Sequence, residues 1–399
     1  MTPSLPSATQ RLRGLDGVRG FAILWVLLYH FYALLPKASW VTIPGVTWFA
    51  GLGWIGVSLF FALSGYLIIP MVAEQKDVPR FFARFWCRRA FRLLPVYLLL
   101  LLTFLAATMW WPAASPGRER LLEPGIPTWS YWVFLQNFLM SSRNYLGSEW
   151  LRVTWSLAVE VQFYALICVV VRWLPRAQLV LWLVVLAEVV VLLRFAVVLL
   201  NPGASTSLVV LLPCRLDAFL AGGLAALLPA PAISKTRLRQ GMSGVLLGLS
   251  IAAFCWFAAG GFGDRTRYFV PVYYVMLAVG SAALLDLSAL SSPVVKWLME
   301  SAPMIRVGKL SYFLYLFHLP IAWMIYSGCF RRIPSLESWR DGAIMLLVLA
   351  VLYGLAEVSY RFMEAPLIAR SHTYFRSETA AELDSDVLVE SKEVVEIEK

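Results

Sequence analysis

The sequence predicts an all-α, polytopic transmembrane bundle of about ten helices, a multi-pass protein of the cell membrane with both termini cytosolic. Three observations carry this prediction. Of the 399 residues, 60% are hydrophobic and only 15% are charged, against about 45–50% and about 25% in soluble domains. Apolar stretches long enough to cross about 30 Å of hydrocarbon recur from Val18 to Met363. The basic residues fall in short clusters between these stretches and form no continuous face, so the formal charge of +10 points to anionic lipid and not to nucleic acid.

The expected spans are 18–36, 51–71, 92–111, 152–173, 179–200, 206–228, 243–260, 268–286, 308–327 and 342–363. The leader, 1–16, shows no small-residue cleavage site behind a short apolar region, so the first stretch is read as a retained helix. Lys76, Arg80, Arg84, Arg88, Arg89 and Arg92 crowd the loop after the second span, and the positive-inside rule assigns that loop to the cytosol. An even number of crossings then returns the C-terminus to the side of the N-terminus. The long outer loop from Pro112 to Leu151 contains an aromatic, nearly uncharged segment, Trp129–Met140. It is too short to span and reads as an interfacial or re-entrant helix. Residues 17–368 form the membrane domain, and 369–399, rich in Glu, Asp and Ser, read as a disordered acidic cytosolic tail. The cysteines at 87, 168, 214, 255 and 329 show no paired spacing, so they are read as small buried hydrophobes and not as a disulfide framework or a metal site. Neither a P-loop nor a dinucleotide fingerprint is present, and no tightly bound cofactor is expected.

Ionisable groups inside apolar runs must face a protein interior, a partner or a water-filled cavity. His30 lies roughly 16 Å along the first helix from Arg19, and His318 lies about 15 Å into the ninth span. Glu160 lies at a similar depth from the outer end of the fourth. His30 reads either as a neutral imidazole satisfied by a neighbouring helix or as a general base, since imidazole can take a proton from a hydroxyl near neutral pH. Glu160 reads as a buried hydrogen-bonded carboxyl, as the group that orients an imidazole, or as part of a polar relay. His318, with Ser311 and Tyr312 before it, reads as a packing or network residue. Arg84, Arg88 and Arg92 are spaced by four and share one face if the stretch is helical, with Arg89 beside them. Their guanidinium forks suit the phosphates of a carrier, and equally lipid headgroups. Glu188, Arg194, Arg215 and Asp217 also interrupt apolar runs. Arg215 and Asp217, two residues apart, point to different helix faces, which argues against a bridge within that helix.

Six blocks join these pieces: RLRGLDGVRGFAILWVLLYH at Arg11–His30, GWIGVSLFFALSGYLI at Gly53–Ile68, RRAFRLLPVY at Arg88–Tyr97, TWSLAVEVQFY at Thr154–Tyr164, GKLSYFLYLFHLP at Gly308–Pro320 and YRFMEAP at Tyr360–Pro366. In order and spacing they resemble the acyltransferase 3 family of bacterial membrane O-acyltransferases, over about residues 11–368. The resemblance implies that His30 is the catalytic histidine, that Glu160 belongs with it through the fourth-helix motif shared with Tyr164, and that Asp16 and Arg19 belong to the leading motif. Arg89 and Arg92 match the RxxR element implicated in handling the acyl donor, with Arg84 and Arg88 beside it. Phe60, Phe61, Ser64 and Gly65 match the FFxxSG block, here with Ala62 and Leu63 in the middle. Ser311, Tyr312 and His318 match the late motif, and Glu364 the terminal glutamate.

The implied reaction moves an acyl group, most often acetyl, from acyl-CoA (acetyl-CoA above all) to a hydroxyl of a saccharide, glycolipid or glycosylated metabolite. Membrane lipids, the donor and the acceptor are the implied partners. Some members carry an extra extracytoplasmic esterase-like domain, so this chain is expected to use direct transfer or a separate extracytoplasmic transfer partner. A transporter of a polar solute or of an acyl-modified glycan is the rival reading of ten helices with buried charges. The resemblance and the lack of evident repeated halves favour the enzyme.

Overall fold

Backbone in hydrocarbon must satisfy its own hydrogen bonds, and the apolar runs do so as helices. The computed structural model describes residues 8–371 apart from 124, 202, 204, 230–231, 233–234 and 260–269. The start of the expected leader and the expected tail from 372 onward lie outside the described residues. In order, the helices are α1 (Ala8–Leu28), α2 (Pro44–Gly51), α3 (Ile55–Gln75), α4 (Phe81–Trp110), α5 (Arg118–Leu122), α6 (Trp129–Trp132), α7 (Gln136–Arg143) and α8 (Trp155–Trp173). They continue with α9 (Arg176–Leu200), α10 (Ser205–Val210), α11 (Leu212–Leu227), α12 (Thr236–Ala259), α13 (Val270–Ala289), α14 (Pro293–Met299), α15 (Ala302–Trp323) and α16 (Trp339–Ser359). Helices α1, α15 and α16 each run on into π-helical turns, at Tyr29–Ala33, Met324–Cys329 and Tyr360–Glu364. Extended pairing among the described residues amounts to one bridge between Lys37 and Leu336.

Nine helical stretches among the described residues are long and apolar enough to cross a membrane, and they coincide with the second to tenth expected spans. The first expected span is covered by α1 and its π turn, but the helix begins at Ala8, well before Val18. It therefore carries Arg13, Asp16 and Arg19 within the helix, and these polar residues set it apart from the nine. Helix α4 begins at Phe81, so the arginine cluster is helical and continuous with the span, and Arg84, Arg88 and Arg92 do share a face.

The expected single helix at Trp129–Met140 is instead two short helices. Phe134 adopts a left-handed backbone (φ 56°) between α6 and α7 and breaks the run. Beyond it, Gln136 and Asn137 are fully buried. The Gln136 amide donates to the Thr154 carbonyl at 3.0 Å, and Asn137 donates to the Val210 carbonyl and to Gln162, both at 3.1 Å. These amides need acceptors inside the bundle, which pulls the loop inward.

Helices α1, α3, α11, α13 and α15 form the interior. In the α15 span 83% of the apolar window is buried within the protein, against 17% for α12, so α12 faces lipid. Glycines set the interior spacing. A Cβ at Gly308 of α15 would lie 1.8 Å from the Asp16 carbonyl oxygen of α1, and one at Gly65 of α3 would lie 1.8 Å from that of Phe219 on α11. No larger residue fits at either crossing. Such backbone-to-backbone packing replaces the hydrophobic effect, which gives membrane helices no reason to associate. Replacing Gly308 with Leu is expected to force α1 from α15 and to cost more than the about 1–3 kcal/mol typical of overpacking. Thermal unfolding of the detergent-purified protein checks this: a melting temperature equal to that of the parent would show that the contact is not limiting.

Candidate active site

The side chains singled out in the sequence gather at two levels of the bundle. At the lower level, five helices meet around one cavity lined by Arg19 of α1, Ser64 of α3, Arg92 of α4, Glu160 of α8, and Ser311 and Tyr312 of α15. Arg19 and Arg92 each stand eleven residues from the start of their helix, or roughly 16 Å along it, which is why they reach the same depth.

Partners fix most of these groups. Arg19 is held by Asp16 at 2.6 Å, one turn back on α1. Glu160 accepts hydrogen bonds from Ser64 at 2.7 Å and from the Tyr164 hydroxyl. The Arg89 guanidinium lies 5.8 Å from the centres of both the Tyr164 and Phe85 rings, a cation–π seat that holds it beside the cavity. Tyr312 donates to the Leu93 carbonyl at 2.7 Å, tying α15 to α4 next to Arg92. Glu364 is buried and accepts from Ser359 at 2.9 Å. Arg88 and Arg84, half-buried one and two turns from Arg92 toward the start of α4, do not line the cavity.

Arg19 and Arg92 line the same cavity. Glu160 is engaged by two hydroxyls and Arg19 by Asp16, so Arg92, with no carboxylate partner among the described residues, is the guanidinium the cavity offers to whatever enters. Such a site favours an anion with several oxygens.

The upper level holds the histidines. His30 sits in the π turn that ends α1, an irregularity often found at functional positions. Its Nδ1 donates to the Val26 carbonyl at 3.0 Å, and the His318 Nδ1 donates to the Tyr315 carbonyl at 2.7 Å. A carbonyl only accepts, so both neutral rings carry the proton on Nδ1 and leave Nε2 with a lone pair. The rings meet edge to face with centres 4.7 Å apart. His318 is fully buried and its Nε2 has no hydrogen-bond partner, whereas His30 is half-buried and borders two further cavities. One of these also touches Tyr29, Arg152 and Arg215. The other also touches Arg120, Glu149 and Arg152.

Of the three readings of Glu160, the geometry excludes that of an imidazole-orienting group. Its carboxylate binds Ser64 and Tyr164 at the lower level, and backbone carbonyls orient both imidazoles. Depth along the helices alone puts the three groups together, but α1 carries His30 beyond the α-helix into its terminal turn.

Sequence reasoning passed over Tyr315, which with Val57 lines both the lower cavity and the first of the upper ones. Its hydroxyl hydrogen-bonds Ser156 at 2.8 Å and donates to the Val153 carbonyl at 3.2 Å, so α15 and α8 are tied between the two levels. Its spacing of three before His318 was the available signal, because residues three apart share a helix face.

A family model described as an acyltransferase domain matches residues 12–357. The chain is 27% identical to the O-acetyltransferase OatA of Staphylococcus aureus over 366 residues, covering 89% of this chain and 57% of that protein. It is 30% identical to a putative peptidoglycan O-acetyltransferase, YrhL, of Bacillus subtilis, covering 89% and 54%, and 26% identical to the peptidoglycan O-acetyltransferase OatA of Listeria monocytogenes, covering 88% and 55%. The chain thus spans little more than half the length of these relatives. No solved structure matches it. The match across nearly the whole membrane bundle, with the motif residues gathered around the two levels described, places the chain in the acyltransferase 3 family.

Proposed function

We propose that this chain is a membrane O-acyltransferase that moves a short acyl group, acetyl in the simplest case, from acyl-coenzyme A to a hydroxyl of a cell-envelope saccharide or glycolipid. The observation that carries the reading is the position of His30, which borders the upper cavities with its Nδ1 held by a backbone carbonyl, while guanidinium groups line a separate cavity beneath. The names of the relatives, peptidoglycan O-acetyltransferases, support acetyl as the group and an envelope glycan as the acceptor class.

In this mechanism the donor's phosphates bind at the cytosolic mouth, near Arg92 and Arg89, and its long pantetheine arm carries the thioester past Val57 and Tyr315 toward His30. The acceptor enters from the opposite side through the cavities bordered by Arg152. His30 Nε2 takes the proton of the acceptor hydroxyl as the oxygen attacks the thioester carbonyl. Tetrahedral collapse expels the thiolate, which receives that proton. His318 packs edge-on against His30 and holds its ring in place, and Glu160 with Tyr164 and Ser64 orders the donor-side wall.

Replacing His30 with Ala is expected to lower turnover by about 10²–10⁴-fold, the usual contribution of a general base, while folded yield stays near that of the parent. Gln keeps a hydrogen-bonding group but supplies no base, and is expected to do no better. Near-parent turnover by well-folded His30→Ala protein at saturating donor and acceptor contradicts the assignment. At the donor end, Arg92→Ala is expected to raise the KM for acyl-CoA and leave that for the acceptor unchanged. Arg92→Lys should recover only part of the loss, since an ammonium does not reproduce the guanidinium fork. Donor titration decides the point, and an unchanged donor KM removes phosphate binding from this cavity.

A further inference from the structure

The upper level holds a buried cation that the proposed mechanism has not used. Arg215 of α11 is 2% exposed and lines the same cavity as His30. Its Nη2 donates to the Ser58 hydroxyl of α3 at 2.8 Å, and its guanidinium carbon lies 4.5 Å from the centre of the Tyr274 ring and 5.4 Å from that of Phe61. Its Nε is buried without a hydrogen-bond partner.

The nearby carboxylate is already engaged. Asp217, two residues further along α11, points to another face and accepts from Arg194 of α9 at 2.6 Å. Arg194 is fully buried and shares the Tyr274 ring with Arg215, at 5.3 Å. On the other side of the cavity, Arg152 binds the Glu149 carboxylate with oxygens at 2.8 and 2.9 Å. Among the described residues, the buried cluster of Arg194, Asp217 and Arg215 therefore carries one positive charge with no carboxylate partner. A hydroxyl and two aromatic faces soften that charge but do not cancel it, and an uncompensated charge in the low-dielectric interior of a membrane protein is costly.

Negative charge develops beside this cavity during acyl transfer. As the acceptor oxygen bonds to the thioester carbonyl carbon, His30 Nε2 takes the hydroxyl proton and the carbonyl π pair moves onto the carbonyl oxygen. Return of that pair breaks the C–S bond, the thiolate leaves, and the proton on His30 passes to it. Between the two events one oxygen carries a full negative charge. A fixed cation that lacks a counter-ion beforehand stabilises this species far more than the neutral thioester, the condition for lowering a barrier. We propose that Arg215 is a catalytic residue that donates to the tetrahedral oxyanion, with the Arg194–Asp217 pair, Ser58 and Tyr274 fixing its guanidinium. This assignment rests on the acyl-transfer reading above.

Two measurements test it. Arg215→Met keeps most of the packing volume and removes the charge. At saturating donor and acceptor its turnover is expected to fall about 10²–10³-fold, the usual loss when an oxyanion donor is removed, with folded yield and donor KM near those of the parent. Arg215→Lys, which keeps the charge without the fork, should fall between the two. Separately, methylphosphonate, a tetrahedral anion, is expected to raise the melting temperature of purified Arg92→Ala protein, a background that weakens anion binding in the lower cavity. Adding Arg215→Met should abolish the rise. The proposal is overturned if Arg215→Met turns over within threefold of the parent, if its loss is confined to donor or acceptor KM, or if no Arg215-dependent shift occurs. An Arg215-dependent shift in a protein whose parent transfers no acetyl group would leave the anion site standing and overturn the acyl-transfer reading instead.

Discussion

The contact between α1 and α15 at Gly308, where the α15 backbone approaches the Asp16 carbonyl too closely for a Cβ, sets the arrangement of the functional groups those two helices carry. Lipid offers no hydrophobic gain for bringing helices together, so the separation of two membrane helices is decided by the size of what lies between them. With nothing between them at Gly308, Arg19 of α1 and Ser311 and Tyr312 of α15 reach one cavity, and further along the same two helices His30 meets His318. The crossing of α3 and α11 at Gly65 does the same for Ser64 on one side and Arg215 on the other, both turned toward the cavities. The glycines of the sequence blocks are thus as much a part of the site as its charged residues.

The second organising fact is that buried polar groups are tied to partners that leave their working atoms free. Each imidazole uses Nδ1 on a carbonyl of its own helix and keeps Nε2 unprotonated. Glu160 is engaged by two hydroxyls in the lower cavity, which it shares with Arg19 and Arg92. In the proposed reaction these features divide the work by height: phosphate binding below, and proton transfer with charge stabilisation above. Val57 and Tyr315 line both levels.

Much of this was legible in the sequence. The nine apolar stretches were, because length and hydropathy are all that spanning requires. The motif blocks also held Arg19, Ser64, Arg92, Glu160, Ser311 and Tyr312, which line one cavity. Three things were not. The early start of α1 was hidden because its first half is polar, and a hydropathy reading begins where the apolar run begins. The break at Phe134 was hidden because a left-handed residue other than glycine leaves no signature. The pairing of Arg194 with Asp217, which leaves Arg215 without a carboxylate partner among the described residues, depends on how α9 packs on α11, and no spacing within one helix encodes that.

The central claim is that donor and acceptor approach from opposite faces of the bundle and meet near His30. Proteoliposomes test it directly when labelled acetyl-CoA is sealed inside and a membrane-impermeant peptidoglycan fragment is supplied outside. The account predicts acetyl ester on the outer fragment, lost in His30→Ala protein, and no ester when both substrates are outside. Transfer that occurs only with both substrates on the same side would contradict it.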